Sequence, residues 1–183
     1  MNCTAKVVRD NGILKISING ELYNPLSFKS FRPNPKNVSE FYAAGVRLFS
    51  VLTSGITSAL GVPYSLYGES WVGDGKYDFS AIDRQMDMFI ENAPDAYFAP
   101  MIQLDTRDWY LKEHPEVPNS FTHLSQIACD EVWKKAAAEY LKAAITHIEE
   151  KYGDRVYGYF MLCGTTTEWF SDHDYEAPHP IKN

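Results

Sequence analysis

One glutamate of the chain has the surroundings that acid–base chemistry requires. Glu168 follows an apolar segment, residues 156–163, and a run of three threonines, and it is followed by Trp169 and Phe170. Aromatic neighbours desolvate a carboxylate and raise its pKa, which is what a general acid near neutral pH needs. Glu168 is therefore predicted to be catalytic. The alternatives are a solvated loop residue and a structural hydrogen-bond acceptor.

Polar and aromatic side chains are concentrated in the long segments that follow the predicted strands. Trp71 and Trp109 are candidates for stacking on the apolar faces of sugar rings, with simple loop packing as the alternative for each. Gln103 and Asp105, at the end of a predicted strand, carry groups that could bond to sugar hydroxyls. Asp105 could equally be a turn former. These four residues are predicted to bind a carbohydrate substrate.

The histidines and cysteines of the chain do not have the spacing of a metal site. There are five histidines and three cysteines, and the cysteines lie far apart without a CxxC pair: His114, His123, His147, His173, His179, Cys3, Cys129 and Cys163. Such spacing predicts neither a zinc site nor a disulfide framework. No metal and no other cofactor is expected.

The composition limits the classes of partner. The net charge is −7 across 183 residues, so no basic surface is expected to neutralise phosphates, and a nucleic-acid partner is excluded. No stretch approaches the roughly 18 apolar residues of a membrane span, and no signal peptide is recognisable. A cytoplasmic location is expected, with secretion or a periplasmic location left open if a signal peptide has been removed.

The pattern of strands and helices predicts an α/β fold of the (β/α)8 TIM-barrel type. Residues 1–24, with strands at 6–9 and 13–18 around Asp10-Asn11-Gly12, are expected to form an N-terminal β-hairpin or cap. Beyond it, predicted strands alternate with predicted helices, the pattern of parallel βαβ units. Four such strands are half a barrel, and a complete one needs about 250 residues. Residues 25–183 are therefore expected to form a partial (β/α) barrel, truncated after the fourth strand, with a shorter open sheet as the alternative.

Three segments resemble those of a known family. Residues 71–83 (WVGDGKYDFSAID) resemble the G-x-Y-D-F-x-x-x-D segment of clan A retaining glycoside hydrolases related to the family 42 β-galactosidases. Residues 108–116 are similar to their segment after the third strand, and residues 152–159 to the run entering the fourth. The order and spacing of the segments, more than any one of them, carry the resemblance.

The resemblance implies a role for Glu168 and for the residue before it. Glu168 corresponds to the acid/base glutamate of the clan, after the fourth strand. Thr167 stands where the clan usually has an asparagine that bonds the sugar 2-hydroxyl, and is therefore expected to contact substrate. The clan's nucleophile follows the seventh strand and would lie beyond residue 183, so the 183-residue chain alone is not expected to complete the reaction.

These observations predict a β-galactosidase-like retaining glycoside hydrolase that cleaves O-glycosidic bonds, represented by its N-terminal part. Glu168 would protonate the leaving oxygen and then deprotonate the water that releases the sugar. One alternative is a non-catalytic carbohydrate-binding or scaffold barrel. Another is a barrel enzyme of a different reaction type, with Glu168 abstracting a proton. Exposed edges on the first and fourth strands leave a homo-oligomer open.

Overall fold

The computed structural model describes residues 2–56, 63–164 and 169. The strands of these residues are β1 Ala5–Asp10, β2 Ile13–Ile18, β3 Glu21–Tyr23, β4 Ser27–Lys29, β5 Leu48–Leu52, β6 Trp71–Gly73, β7 Lys76–Tyr77, β8 Tyr97–Gln103 and β9 Phe160–Leu162. Their helices are α1 Pro35–Ala43, α2 Ser80–Asn92, α3 Asp108–Glu113, α4 Leu124–Ile127 and α5 Glu131–Tyr152.

The chain opens with an antiparallel sheet in the order β1-β2-β3. Strands β1 and β2 are joined by a tight turn in which Asn11 and Gly12 have φ values of 48° and 84°. Asn-Gly is the pair that adopts these angles most readily, and the resulting twist matches that of the flanking strands. The turn therefore fixes the register in which Asp10 lies opposite Ile13.

The prediction of a (β/α)8 TIM-barrel fold is wrong. The described residues form separate antiparallel and parallel sheets, the parallel one in the order β4-β5-β8-β9. Its edge strands β4 and β9 have only 3 residues each and do not pair with each other in the part of the chain that the structure describes. Closing a barrel requires the two edges to meet with a consistent tilt and shear. The fold is instead an α/β arrangement with an open four-stranded parallel sheet.

Helices α2 and α5 pack against one face of this parallel sheet. Large apolar residues of β5, β8 and the two helices belong to one buried cluster: Phe49, Val51, Phe98, Ile102, Ile82, Met86, Phe89, Tyr140, Ala144 and Ile148. Helix α5 begins where the Asp130 side chain accepts a hydrogen bond from the Trp133 backbone N–H at 2.8 Å, a typical N-terminal cap. None of the helices described combines the length and the apolar character needed to cross a bilayer.

The opposite face of the parallel sheet carries a smaller apolar cluster. Leu52, Tyr64, Met101 and Leu162 form it, and Ile56 packs against them. Gln103 follows Met101 by two residues on β8, so its side chain is on the same face. This face therefore changes from apolar to polar toward the carboxyl ends of the strands.

An ionic cluster joins α2 to α5 on the helical side of the sheet. Asp83 Oδ1 lies 2.7 Å from His147 Nε2, and Asp83 Oδ2 lies 2.9 Å from Lys151 Nζ. The Tyr152 hydroxyl donates to Asp83 Oδ1 at 3.1 Å and to Asp87 Oδ1 at 2.9 Å. Partial burial acts to raise the pKa of Asp83, but the hydrogen bonds and charges of His147 and Lys151 outweigh it and hold that pKa below its ordinary value.

This cluster is expected to make stability depend on pH in the acid range. A carboxyl group whose pKa is lowered by folding stabilises the protein above its unfolded-state pKa, about 3.9 for Asp, and loses that contribution as the pH falls through the lower folded value. We therefore expect Asp83→Asn to lower the thermal midpoint at pH 7, whereas at pH 2 the two midpoints should converge. Thermal melts of both proteins across this range test it. A difference between the two that is equal at both pH values would contradict the assignment.

Candidate functional site

A cleft lies at the carboxyl ends of strands β5 and β8. Its volume is about 550 Å³, and it is lined by Gly55, Ile56, Glu69, Thr106, Arg107, Asp108, Trp109, Lys112, Asn119 and Phe121. The lining comes from the segments that follow the two strands and from helix α3. In open α/β sheets, ligands bind in the crevice outside the carboxyl ends of the strands. The position and the mixed polar and aromatic lining make this cleft the candidate functional site.

An ion pair between the buried Arg107 and the partly buried Glu69 forms one wall of the cleft. Arg107 Nη2 donates to Glu69 Oε1 at 3.2 Å and to the Gln103 carbonyl at 2.9 Å. Glu69 Oε1 also accepts from the backbone N–H groups of Ser70 at 2.8 Å and Trp71 at 3.0 Å. Glu69 Oε2 accepts from the Ser54 hydroxyl at 2.5 Å. The pair thus ties together the segments that follow β5 and β8.

The surroundings of Glu69 keep its carboxylate ionised. Burial acts to raise its pKa, but the Arg107 charge and the hydrogen bonds from Ser54, Trp71 and Arg107 outweigh it and lower that pKa. Burial likewise acts against the charge of Arg107, and Glu69 more than compensates, so that the pKa of Arg107 is raised. Both groups are therefore charged at neutral pH.

Asp105 holds the end of strand β9 against the site. Its Oδ1 accepts from the Gly164 backbone N–H at 2.6 Å and from the Ser120 hydroxyl at 2.9 Å. Burial raises the pKa of Asp105, and the opposing effects of Arg107 and of these hydrogen bonds do not cancel it. Gly164, two residues after β9, is therefore held in place by a buried carboxyl group.

The structure gives the two candidate tryptophans different roles. Trp71 is 1 % exposed, and its ring stacks on Tyr140 with the centroids 4.9 Å apart. Trp109, Tyr110 and the Arg107 guanidinium also lie against the Trp71 ring. Protein side chains thus occupy the positions that a stacked sugar would need, which corrects the interpretation of Trp71 as a platform. Trp109 is half-buried and lines the cleft, and its Nε1–H donates to the Trp71 carbonyl at 2.9 Å. Trp71 thus supports Trp109 from behind.

The other predicted binding residues are partly described. Gln103 and Asp105 are each 0 % exposed and do not line the cleft themselves, but they contact Arg107, which does. Glu168 and Thr167 lie outside the described residues. Trp169 is described: its backbone N–H donates to the Cys163 carbonyl at 2.8 Å and its Nε1–H to the Met161 carbonyl at 2.8 Å. The residue that follows Glu168 is therefore bonded to strand β9.

Several site residues were not singled out by the sequence. Glu69 and Arg107 are separated by 38 residues, and neither lies in a motif that predicts an ion pair. Ser54, Asn119 and Ser120 are ordinary loop residues by type. The available signal was their position in the long segments that follow predicted strands, because the carboxyl edge of a parallel sheet gathers side chains from such segments.

The described residues contain no group of three or more His, Cys, Asp or Glu side chains that could hold a metal ion. Protein-family models give no match to the sequence, and the curated proteins include no significant relative. What the protein does is therefore argued from the geometry of the cleft and from the residues around it.

Proposed function

We propose that the protein is a retaining glycoside hydrolase that cleaves O-glycosidic bonds, with β-galactosides as the first substrates to test. The observation that carries the proposal is the hydrogen bond from Gly164 to Asp105. It fixes Gly164, four residues before Glu168 in the sequence, at the carboxyl end of the parallel sheet, where the cleft lies. A half-exposed indole, amide and hydroxyl groups, and charged groups line that cleft, a combination that suits a sugar ring.

In this proposal Glu168 is the general acid and base. As an acid it protonates the leaving glycosidic oxygen, and as a base it takes a proton from the water that releases the sugar. Trp109 supports one face of the ring, and the Glu69–Arg107 pair holds the two cleft-forming segments in place. Trp169 follows Glu168 directly in the sequence, and an aromatic neighbour favours the protonated form of a carboxyl group.

A retaining mechanism also needs a nucleophilic carboxylate about 5–5.5 Å from the acid. Glu69 is ionised and lines the cleft, but both its oxygens already accept hydrogen bonds. We therefore do not assign Glu69 as the nucleophile, and we assign that role to no carboxylate among the residues that the structure describes.

The engagement of Glu69 also favours a second candidate function, a non-catalytic carbohydrate-binding protein. Such a protein needs the aromatic and polar lining without a pair of catalytic carboxyl groups. The two functions are distinguished by turnover. A binder gives saturable binding of sugars with no release of the aglycone.

The direct test is an assay with the p-nitrophenyl β-glycosides of galactose, glucose, mannose and xylose. We expect nitrophenolate release from at least one of them, increasing linearly with protein concentration. Binding of the corresponding methyl glycosides without release from any aryl glycoside would support the binder. If the protein neither bound any of these sugars nor released nitrophenolate, both functions would be refuted.

Trp109 provides a separate test of where the substrate lies. We expect Trp109→Ala to raise KM about three- to tenfold with a smaller change in kcat, because the loss of a stacking face weakens binding by about 1 kcal/mol. Trp109→Phe keeps an aromatic face but loses the hydrogen bond to the Trp71 carbonyl, so its KM should lie between those of the wild type and Trp109→Ala. Steady-state kinetics of the three proteins provides the measurement. An unchanged KM in Trp109→Ala would move the substrate out of this cleft.

A further inference from the structure

Gln103 has a side chain whose hydrogen-bonding capacity is unused. It is 0 % exposed, and within the described part of the chain neither its amide oxygen nor its amide nitrogen has a hydrogen-bond partner. Its backbone is fully integrated into the sheet, since Gln103 lies opposite Leu162 of β9. The backbone of Gln103 is therefore held in place by strand pairing, while the polar atoms of its side chain have no partner among the described residues.

Asp105 provides a second free position next to this amide. Parallel pairing continues past the end of β8, because the Leu104 backbone N–H donates to the Leu162 carbonyl at 2.7 Å. Residues 103 and 105 are therefore directed to the same face. Asp105 Oδ1 accepts from Ser120 and Gly164, and the buried Cys163 thiol interacts with the same carboxyl group, whereas Oδ2 has no well-aligned hydrogen-bond partner among the residues described.

Two neighbouring buried groups without partners are unusual in a folded protein. Buried polar atoms are almost always hydrogen-bonded, because losing the bonds to water without replacing them is unfavourable. Exceptions concentrate at functional sites, where a ligand supplies the missing partners. Leu162 and Met101 flank the same face, so the polar end of Gln103 is enclosed by apolar side chains that would strengthen such bonds.

We propose that Gln103 and Asp105 form a subsite that recognises two adjacent hydroxyl groups of a neutral sugar ring. One hydroxyl accepts from the Gln103 amide N–H, and its neighbour donates to the Gln103 amide oxygen. Asp105 Oδ2 bonds to one of the same two hydroxyls. This subsite rests on the proposed function only in its choice of sugars as ligands, because it requires binding and no chemistry.

The charges around the subsite select a neutral ligand. An anion would meet the carboxyl groups of Asp105 and Glu69, and the nearby Arg107 is already paired with Glu69 at 3.2 Å. A hard cation such as calcium takes six to eight oxygen ligands, and Gln103 and Asp105 offer only two free oxygens. A diol matches an amide better than an anion or a cation does, because the diol and the amide each present a donor and an acceptor side by side.

Access to the subsite requires movement of the side chains around it. Ile56 packs against the apolar cluster that flanks Gln103, and it also lines the cleft. Ile56 therefore lies between the cleft and Gln103. A sugar that enters the cleft would reach Gln103 by displacing Ile56 and its neighbours.

The test combines stability with binding in Gln103→Met, which keeps the length of the side chain and removes its polar atoms. Because an unsatisfied amide is removed, we expect the thermal midpoint without ligand to rise by about 2–4 °C. We expect calorimetry to show that the affinity for the bound methyl β-glycoside falls at least about tenfold. A structural glutamine would give a lower midpoint, and that result would overturn the proposal.

A binding cycle identifies the hydroxyl pair. The probes are methyl β-glycosides of galactose, glucose, mannose and xylose, and then the monodeoxy derivatives of whichever binds best. In the wild type, removing either of two adjacent hydroxyls should weaken binding about tenfold, and in Gln103→Met the same removals should have less than a twofold effect. Equal effects in both proteins, or no binding of any of the four sugars, would overturn the diol assignment.

Two further variants test whether the effect is specific to Gln103 and whether it is independent of the proposed role of Glu168. Gln85 is also a buried glutamine with a free amide nitrogen, but it lies on α2 and its Oε1 accepts from the Ser65 hydroxyl at 3.2 Å. Gln85→Met should leave sugar affinity unchanged, and an equal loss there would remove the specificity of the effect. The comparison of deoxy sugars is repeated in the Glu168→Gln background. If Glu168→Gln still turns over substrate but the deoxy sugars still lose affinity only when Gln103 is present, the proposed role of Glu168 fails and the subsite is supported.

Discussion

Replacing Glu168 by glutamine is expected to lower kcat/KM for alkyl β-glycosides by a factor of about 10² to 10⁴, the usual contribution of general acid–base catalysis. Glutamine has nearly the same shape but cannot transfer a proton. The substitution therefore removes the protonation of the leaving oxygen without removing the volume of the side chain. Initial rates for the wild type and for Glu168→Gln, measured on the same methyl and aryl glycosides, provide the test.

The dependence on the leaving group separates a general acid from a structural role. A dinitrophenolate leaves without protonation, so Glu168→Gln should impair the first step of its glycosides far less than that of methyl glycosides. Glu91, an exposed residue of helix α2, provides the matched control, and Glu91→Gln should leave both rates unchanged. An equal loss for both classes of substrate would show that Glu168 does not act as the acid.

Removing the charge of Arg107 is expected to have the largest effect on stability. Arg107 is 4 % exposed and Glu69 is 22 % exposed, and breaking a buried pair leaves an uncompensated buried charge. We expect Arg107→Met to reduce the free energy of unfolding by about 3–5 kcal/mol. In a protein of this size the midpoint of thermal unfolding should then fall by roughly 6–20 °C. Thermal and urea unfolding monitored by circular dichroism measure both quantities.

An exposed ion pair on helix α5 serves as the control for Arg107→Met. Lys134 lies 2.5 Å from Glu131, with the two side chains 42 % and 85 % exposed. Lys134→Met should change stability by about 0–1 kcal/mol. The double variant Arg107→Met/Glu69→Gln should lose less than the sum of the single variants, because the second change removes the stranded charge. Additive losses would contradict the coupling inferred here.

The elements of the fold were largely predictable because their local signals are strong. Helix α5 has an aspartate cap and a long apolar repeat, and the Asn11-Gly12 turn has few alternative conformations. The hairpin of β6 and β7 was not predicted from the sequence. These strands have only 3 and 2 residues, too few to produce a periodic pattern.

Barrel closure could not be predicted in the same way, because it depends on the two edges of the sheet. The alternation of strands and helices indicates parallel pairing, and strands β4, β5, β8 and β9 do pair in parallel. Whether the edges then meet depends on the number, tilt and shear of the strands. None of these quantities is encoded in a local pattern.

The site was predictable in its location but not in its contacts. The polar and aromatic residue types in the segments after the predicted strands indicated a site there, and Trp109, in one of these segments, does line the cleft. The burial of Trp71 against Tyr140 was not predictable, since the two residues are far apart in the sequence and meet only through packing of α5. The same is true of Glu69 and Arg107, whose pairing depends on the arrangement of two loops.

The most direct test of the glycosidase assignment is the anomeric form of the first sugar released. The protein is incubated with p-nitrophenyl β-glycosides, and proton NMR follows the anomeric signals of the released sugar before mutarotation. A retaining mechanism with Glu168 as acid and base predicts that the β anomer appears first. First appearance of the α anomer would contradict the retaining mechanism, and absence of any released sugar would contradict glycoside hydrolysis itself.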